Sequence, residues 1–257
     1  MEQSRALLEQ NGVRLAAISY DSPEILQAFA RKYQVDFPLL SDRDSAVIGR
    51  FGILNTNIAP GLRAHGVPHP VEYLVSPDGV VVRKYFVPNY QHRVTASSVA
   101  LQEFSAAGEG ARAVSLHSGA LAATVGLSSA VAFAGQEIGF FADFVLEPGW
   151  HVYAAPVPEI YTPLAIAFDD PKVTRQSFAF PEAARIRIAA LSETLPVFTG
   201  SFQVKGSLLL KFPLDAGEIT LTGRLRFQQC SDAICEPPEA VAFELGITLK
   251  PFMVATG

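Results

Sequence analysis

Two cysteines are the residues of this sequence best suited to covalent chemistry. Cys230 and Cys235 are the only cysteines among 257 residues, and four residues separate them in the run FQQCSDAICEPPE. An even count at short spacing is compatible with a disulfide. A cysteine thiolate can also act as a nucleophile or bind a metal ion. Three interpretations therefore compete: a metal site, a structural disulfide, and a pair that exchanges its bond with other thiols.

The residue types and the spacing of the pair weigh against a metal site and give a structural disulfide little stability to contribute. A zinc site needs further Cys or His ligands at matching spacing, and this half of the chain offers only His117 and His151, well separated in sequence. We therefore predict no metal ion and no other cofactor. Closing so short a loop stabilises a fold by only ~2 kcal/mol, against ~4–5 kcal/mol for a loop of ~100 residues. A domain of ~140 residues buries enough apolar surface to be stable without that contribution.

The elements that must hold the pair are short strands. From residue 119 onward, apolar runs of strand length alternate with turn residues such as Pro148 and Gly149. This spacing predicts an antiparallel β-sandwich over residues 119–257. Cys230 lies at the end of the predicted strand Ile219–Phe227.

The first 106 residues alternate between strand and helix patterns instead. Val13–Tyr20 is a continuous apolar run typical of a buried parallel strand. It is followed by a helix start with a capping hydroxyl at Ser22 and a proline at the next position. A last helix is expected over roughly His92–Ala106. Residues 107–118 are rich in Ala, Gly and Ser and predict a linker, so we expect an α/β domain at 1–106.

Composition argues against several classes of function. The chain is 49% hydrophobic and 18% charged with a formal net charge of −5, so it offers no basic surface for a nucleic acid. No window approaches the ~20 apolar residues that span a bilayer, and we predict no membrane insertion within this chain. The start Met1–Arg5 lacks the basic and apolar regions of a signal peptide. Taken alone, that start indicates the cytoplasm.

Residues 12–86 resemble the peroxiredoxin and thioredoxin-like superfamily, which includes the AhpC/TSA redoxins. The resemblance rests on the stretches VRLAAISYDSPE, FPLLSD, GVPHP and YLVSPDG. It implies a cis peptide bond at Pro70, beside the active thiol, and a cis X–Pro bond costs little. The family's reactive cysteine precedes the first matched strand, but no cysteine occurs here before Cys230. We therefore expect an incomplete thioredoxin-like domain. The family's usual first strand is missing as well. Its absence favours the interpretation that the chain is a piece of a longer protein over the interpretation that the domain is a degenerate scaffold.

The second half resembles the periplasmic N-terminal domain of the transmembrane disulfide reductase family DsbD. Three motifs carry the resemblance, and they occur in the family's order: EPGWHVY at 147–153, VFTG at 197–200 and CSDAICEPPE at 230–239. The resemblance implies an immunoglobulin-like sandwich in which the two cysteines face each other around a tight loop.

The same resemblance implies roles for individual residues. Cys235 is expected to attack a partner's disulfide and Cys230 to resolve the mixed disulfide. Phe198 is expected to cover the pair as a cap, with ordinary sandwich core as the alternative. Two roles stay open for Tyr153: lining the site or filling the core. The carboxylate that would assist the thiols stays unassigned, and the candidates are Glu193, Asp232 and Glu236.

We therefore expect a thiol–disulfide oxidoreductase that relays electrons through Cys230 and Cys235. The resemblance implies a thioredoxin-like protein or a transmembrane reductase as redox partner, and a periplasmic or other extracytoplasmic location despite the missing signal. Two alternatives stay open: a peroxiredoxin-like antioxidant whose catalytic cysteine lies upstream of this chain, and a non-catalytic protein-binding sandwich with a structural disulfide. The reduction potential of the pair separates a relay from a structural link.

Overall fold

The chain divides into two compact units of different class. The computed structural model describes residues 5–62, 65–86, 92–106, 111–188 and 193–251. Contacts within the chain separate Met1–Ala96 from Ser97–Gly257. The first unit is α/β and the second consists mostly of strands, as the sequence predicts. No helix in the described ranges has both the length and the apolar character needed to span a bilayer.

In its described residues, the first unit contains three short helices and five short strands. In chain order they are α1 (Arg5–Gln10), β1 (Ala17–Ser19), α2 (Pro23–Tyr33), β2 (Leu39–Ser41), α3 (Ala46–Arg50), β3 (Val71–Val75), β4 (Val81–Phe86) and β5 (Arg93–Val94). Strands β1 and β2 pair in parallel, whereas β3 and β4 form the antiparallel hairpin predicted around the Pro-Asp-Gly turn.

Helix α2 begins where the sequence predicts. The Ser22 side chain accepts a hydrogen bond from the backbone N–H of Ile25 at 3.4 Å, and Pro23 occupies the first helical position. Both features satisfy or remove backbone donors that a helix start leaves free. The helix ends at Tyr33, and the C-cap residue Gln34 closes the last turn with a left-handed backbone (φ 52°).

The cis peptide bond predicted at Pro70 is not found. The cis bonds within the described ranges precede Pro156 and Pro213. Pro68 forms an isolated bridge with Leu54, and the chain continues from there directly into β3. The chain follows that path with a trans bond, the isomer favoured by about 0.5–1 kcal/mol for an X–Pro bond. The cis bond predicted at Pro70 from the resemblance is therefore wrong in this structure.

The second unit holds one helix and thirteen strands within the described ranges. They are α4 (Ala96–Phe104), which begins at the unit boundary, then β6 (Ala113–Ser118), β7 (Leu121–Leu127), β8 (Val131–Ala132), β9 (Gln136–Leu146), β10 (Trp150–Tyr153), β11 (Ala165–Ala167), β12 (Val173–Ala179), β13 (Ala184–Ile188), β14 (Glu193–Thr199), β15 (Ser201–Leu210), β16 (Gly217–Phe227), β17 (Gln229–Ser231) and β18 (Glu239–Leu249).

These strands form three sheets of an immunoglobulin-like sandwich. Their orders are β12-β15-β9-β7-β6, β11-β16-β18-β8 and β13-β14-β10-β17. The large core alternates along the strands as a half-buried sheet requires. In β9, for example, Ile138, Phe140, Ala142 and Phe144 are at most 1% exposed.

The structure differs from the predicted linker at 107–118. Residues 113–118 form β6, which pairs with β7 from Ala113 opposite Gly126 to Ser118 opposite Leu121. Val114 and Leu116 pack against the core, so a period-2 pattern lies hidden in a composition rich in small residues. The helix expected over His92–Ala106 is the shorter α4, and residues 107–110 lie outside the described ranges.

The third sheet has two apolar faces that serve different purposes. Val152 and Phe198 point into the large core of the sandwich. Their chain neighbours Tyr153 and Val197 belong to a separate buried cluster that also contains Cys230. Because successive side chains of a strand point to opposite faces, one sheet separates the core from the cysteine pair.

Candidate functional site

The two cysteines face each other across a tight hairpin and form a disulfide. Their sulfurs are 2.20 Å apart and their Cα atoms 4.1 Å apart. The backbone hydrogen bonds Ser231 N to Ile234 O (2.8 Å) and Glu236 N to Gln229 O (3.0 Å) flank the pair. The cysteines thus occupy the non-hydrogen-bonded position of an antiparallel bridge, where facing side chains come closest.

The turn between the cysteines is closed by a serine side chain. Ser231 Oγ accepts hydrogen bonds from the backbone N–H groups of Ala233 (3.3 Å) and Ile234 (3.2 Å). The serine hydroxyl thus takes the place of a backbone acceptor for these two N–H groups. The Cys-Ser-Asp-Ala-Ile-Cys spacing therefore produces a compact loop that holds the sulfurs together.

The edge strand β17 is fixed by the buried side chain of Gln229. Its Oε1 accepts from the Ala120 backbone N–H at 2.9 Å, and its Nε2 donates to Glu239 Oε1 at 3.1 Å. Gly119 leaves room for this amide, because a Cβ there would lie 2.2 Å from Gln229 Nε2. These contacts tie the cysteine-bearing strand to the β6–β7 turn and to β18.

The two cysteines differ in their exposure to solvent. Cys230 lies in β17 and is only 1% exposed, whereas Cys235 lies beyond the turn and is exposed. Ile234 is 51% exposed, and Pro237 and Pro238 are exposed as well. A thiol from another protein can therefore approach from the Cys235 side, while Cys230 is covered by the domain.

Tyr153 places its hydroxyl at both sulfurs. Its Oη lies 3.3 Å from Cys230 Sγ and 3.6 Å from Cys235 Sγ, and its ring is fully buried. Since a disulfide sulfur carries no hydrogen, the phenol is the donor in both contacts. Burial, followed by the neighbours Tyr161 and Glu193, raises the pKa of Tyr153, which keeps the hydroxyl protonated.

Tyr161 and Glu193 extend this contact away from the sulfurs. The Tyr161 ring packs 4.8 Å from that of Tyr153, and its hydroxyl donates to Glu193 Oε2 at 3.1 Å. Burial and this hydrogen bond raise the pKa of Tyr161. Of the three carboxylates considered from sequence, Glu193 is the one connected through tyrosines to the disulfide.

His151 is a site residue that its sequence context did not reveal. It lies directly opposite Cys230 in the β10–β17 pairing, is 3% exposed, and packs edge-on against Tyr153 at 5.5 Å. Its Nε2 atom has no hydrogen-bond partner in the part of the chain that the structure describes. Burial lowers the pKa of His151, and the charge of Asp232 acts in the opposite direction. The signal in the sequence is the period-2 spacing from Tyr153.

The predicted cap, Phe198, lies on the wrong face of the sheet. It is paired with Val152 in β10 and stacks on Phe202 at 4.7 Å within the large core. Its neighbour Val197 occupies the position beside Cys230 and Tyr153. The structure therefore contradicts the capping role predicted for Phe198. A shift of one residue along a strand moves a side chain to the other face of the sheet.

The surroundings of the pair contain no metal-ligand cluster. Groups of three or more His, Cys, Asp or Glu side chains suited to a metal ion are absent from the residues that the structure covers. His151 is paired with Cys230, which is already bonded to Cys235. The two cysteine sulfurs are suited to bonding with each other.

Comparison with known protein families divides the chain as its two units do. Residues 1–84 match the AhpC/TSA family, and residues 125–246 match the family "Thiol:disulfide interchange protein DsbD, N-terminal". Both resemblances predicted from the sequence are thereby confirmed. Each match covers less than half of the chain, so the two families describe different parts of it.

Curated relatives match the first unit. Peroxiredoxin Bcp of Escherichia coli strain K12 is 36% identical over 74 residues, which are 29% of this chain and 47% of that protein. A putative peroxiredoxin of Coxiella burnetii is 32% identical over 74 residues, 29% of this chain and 48% of its own length. The chain thus spans about half the length of the curated relatives it matches.

Two solved structures align with parts of this chain. The N-terminal periplasmic domain of ScsB from Proteus mirabilis aligns with a TM-score of 0.41 and 15% identity, over 52% of this chain and 50% of that one. The reduced DsbD N-terminal domain of Neisseria meningitidis aligns with a TM-score of 0.28 and 14% identity, over 48% and 87% of the two chains.

Proposed function

Because the chain joins a segment that matches the AhpC/TSA family to a domain that matches the DsbD N-terminal family, we propose that it is a thiol–disulfide oxidoreductase. The observation that supports the proposal is the unequal exposure of the two cysteines, with Cys235 exposed and Cys230 buried. A structural disulfide gains nothing from one open sulfur. Exchange requires it, because a visiting thiolate must reach one sulfur in line with the bond it breaks.

The exchange proceeds in two steps whose atoms and electrons balance. In the reduced chain, the Cys235 thiolate attacks a partner's disulfide, forms a mixed disulfide and releases the partner's other sulfur as a thiolate. Cys230 then attacks Cys235 Sγ, which restores the internal disulfide and frees the partner as a dithiol. Two electrons pass to the partner, and the same steps in reverse reduce this chain.

Tyr153 assists both steps in this proposal. Its hydroxyl lies within 3.6 Å of either sulfur, so it can donate to whichever sulfur carries negative charge. A charged acceptor strengthens such a hydrogen bond relative to a neutral sulfur. Val197, Leu195 and Tyr161 replace Phe198 as the apolar side chains that shield the buried sulfur.

The match to the DsbD N-terminal family and redox chemistry support a proposal for the partners and the location. We assign a thioredoxin-like protein or a transmembrane reductase as partner, and an extracytoplasmic compartment, because a reactive disulfide persists in oxidising surroundings.

A matched pair of variants tests the assignment of the two sulfurs. Cys230→Ala leaves only the exposed sulfur and should form a mixed disulfide with DTNB rapidly. Cys235→Ala leaves only the buried sulfur and should react at least ~100-fold more slowly, because burial both blocks access and disfavours the thiolate. Equal rates for the two variants would contradict the assignment.

The reduction potential of the wild-type pair tests exchange itself. Equilibration with glutathione buffers, followed by alkylation and mass analysis, gives the fraction reduced. We expect a potential in the range of exchange proteins, about −120 to −270 mV. A value below about −300 mV would indicate a structural disulfide and overturn the proposal.

A second candidate function is reduction of peroxide, favoured by the AhpC/TSA match over residues 1–84. The sequence contains no cysteine before Cys230, so any peroxidase activity of this chain would have to use the pair itself. Peroxide consumption by the reduced chain, compared with that of Cys235→Ala, measures this. Consumption that depends on Cys235 and rivals its exchange rate with DTNB would favour this candidate.

A further inference from the structure

The exchange mechanism proposed above leaves the proton of Cys230 without a destination. When Cys230 attacks the mixed disulfide it must lose its thiol proton, and it does so at a position only 1% exposed. Water has little access there, and burial disfavours an unassisted thiolate. A proton acceptor built into the domain would remove that obstacle.

Tyr153 is unsuited to accept this proton. Its hydroxyl contacts Cys230 Sγ, but burial and the neighbours Tyr161 and Glu193 raise its pKa. A protonated phenol already donates a hydrogen bond to sulfur, and it does not act as a base near neutral pH. Its role is to stabilise charge on sulfur.

His151 has the position and the state that an acceptor needs. It is the cross-strand neighbour of Cys230, and facing residues in an antiparallel pair have Cβ atoms about 4.5–5.5 Å apart. It is 3% exposed, and its Nε2 atom lacks a hydrogen-bond partner among the residues that the structure covers. A buried polar atom without a partner is costly and calls for an explanation.

We propose that His151 is the acid–base group of Cys230, an inference that rests on the proposed exchange function. As Cys230 attacks Cys235 Sγ, the thiol proton passes to an imidazole nitrogen of His151, the bond between the two cysteines forms and the bond from Cys235 to the partner breaks. The partner leaves as a thiolate, and the imidazolium returns its proton to solvent or to that thiolate. In the reverse direction, His151 first takes a proton from the partner's attacking thiol or from solvent, and the imidazolium then protonates Cys230 as it leaves Cys235 Sγ.

The groups around His151 keep its ring neutral before the step. The titratable groups that face it are Cys230 from β17, Tyr153 from its own strand and Asp232 from the turn after β17, while β14 contributes the uncharged Thr199. Burial lowers the pKa of His151 and outweighs the opposing effect of Asp232. A neutral imidazole can accept a proton, whereas an imidazolium cannot.

The reaction of the reduced full-length chain with DTNB separates the two steps. The first coloured thiolate reports attack by Cys235, and the second reports resolution by Cys230. General acid–base groups contribute ~10²–10⁴-fold, so His151→Gln should slow the second phase at least ~100-fold at neutral pH and leave the first within about twofold. His117→Gln, a histidine of β6, is the matched control and should change neither phase.

The pH profile gives a readout that a structural role would not produce. In the wild type, the second-phase rate should rise with pH through an inflection below ~6.5, the ordinary value for histidine, because only the neutral ring accepts a proton. In His151→Gln the rate should rise only toward ~8.5, where a free thiol ionises. The wild-type profile stands as a test even if the variant does not fold.

The outcomes distinguish failure of this inference from failure of the proposed function. A normal first phase with an equally fast second phase in His151→Gln, or a wild-type profile without the lower inflection, would overturn the role of His151 and leave exchange intact. A wild type that releases no second thiolate would instead overturn the exchange mechanism itself.

Discussion

The two faces of the sheet formed by strands β10 and β14 differ in kind, although alternating residues of the same strands build both. On one face, Val152 and Phe198 join a large cluster of packed apolar side chains. On the other, Tyr153 and His151 bring polar atoms to a disulfide in a cluster only a few residues wide. The core face determines stability, while the site face carries unsatisfied or weakly satisfied polar groups that function can use. Substitutions on the two faces should therefore separate stability from reactivity.

The largest expected effect lies on the core face. Phe198→Ala removes a ring that is 6% exposed and stacked on Phe202, so the second unit should lose about 3–5 kcal/mol of unfolding free energy. The alkylation rate of the reduced, folded pair should stay within about twofold of wild type. Urea unfolding followed by fluorescence of Trp150, the only tryptophan, measures the first quantity.

Val197→Ala is the matched variant on the site face. It deletes two methyl groups from the cluster that covers Cys230, and should cost roughly 2 kcal/mol. It should also speed alkylation of Cys230 in the Cys235→Ala background. The comparison fails if Phe198→Ala accelerates alkylation and Val197→Ala does not, since Phe198 would then be the cap after all.

This comparison explains which parts of the site the sequence could reveal. The cysteine spacing, the strand end before Cys230 and the family motifs led to the disulfide and to Tyr153. The choice between Val197 and Phe198 depends on register, which one residue reverses. The motif VFTG contains both side chains, so resemblance alone did not distinguish their faces. The sequence brought His151 forward only as a possible metal ligand, because its importance comes from its cross-strand pairing with Cys230.

The fold, like the site, could be predicted in part from the sequence. Strands with a clear period of two, such as β9 and β16, and the capped helix α2 follow local patterns that the chain carries itself. Strand β6 was missed because small residues conceal its alternation, although Val114 and Leu116 pack on the core. The isomer at Pro70 depends on the path of distant segments, which a short motif does not encode.

A smaller effect is expected from the hydroxyl on the site face. Tyr153→Phe keeps the buried ring but removes the donor that lies 3.3 and 3.6 Å from the two sulfurs. A hydrogen bond to a charged group contributes about 1.5–3 kcal/mol, so attack by Cys235 on DTNB should slow roughly tenfold or more. Tyr161→Phe is the control, because its hydroxyl bonds Glu193 and not sulfur. Equal slowing in both variants would indicate a general loosening of the cluster.

The smallest expected effect concerns the turn that joins the two sulfurs. Ser231→Ala removes the acceptor of the Ala233 and Ile234 N–H groups, at a net cost of about 0.5–1 kcal/mol for an exposed turn. The disulfide requires the closed hairpin, whereas the dithiol tolerates an open one, so the loss falls mainly on the oxidised form. At 30 mV per ~1.4 kcal/mol, the reduction potential should rise by roughly 10–20 mV. Ser76→Ala removes a comparable turn acceptor, for the Val80 N–H in the β3–β4 hairpin, and should leave the potential unchanged. An unchanged potential in Ser231→Ala would mean that the turn holds equally in both redox states, and that β17 with its Gln229 anchor positions the sulfurs instead.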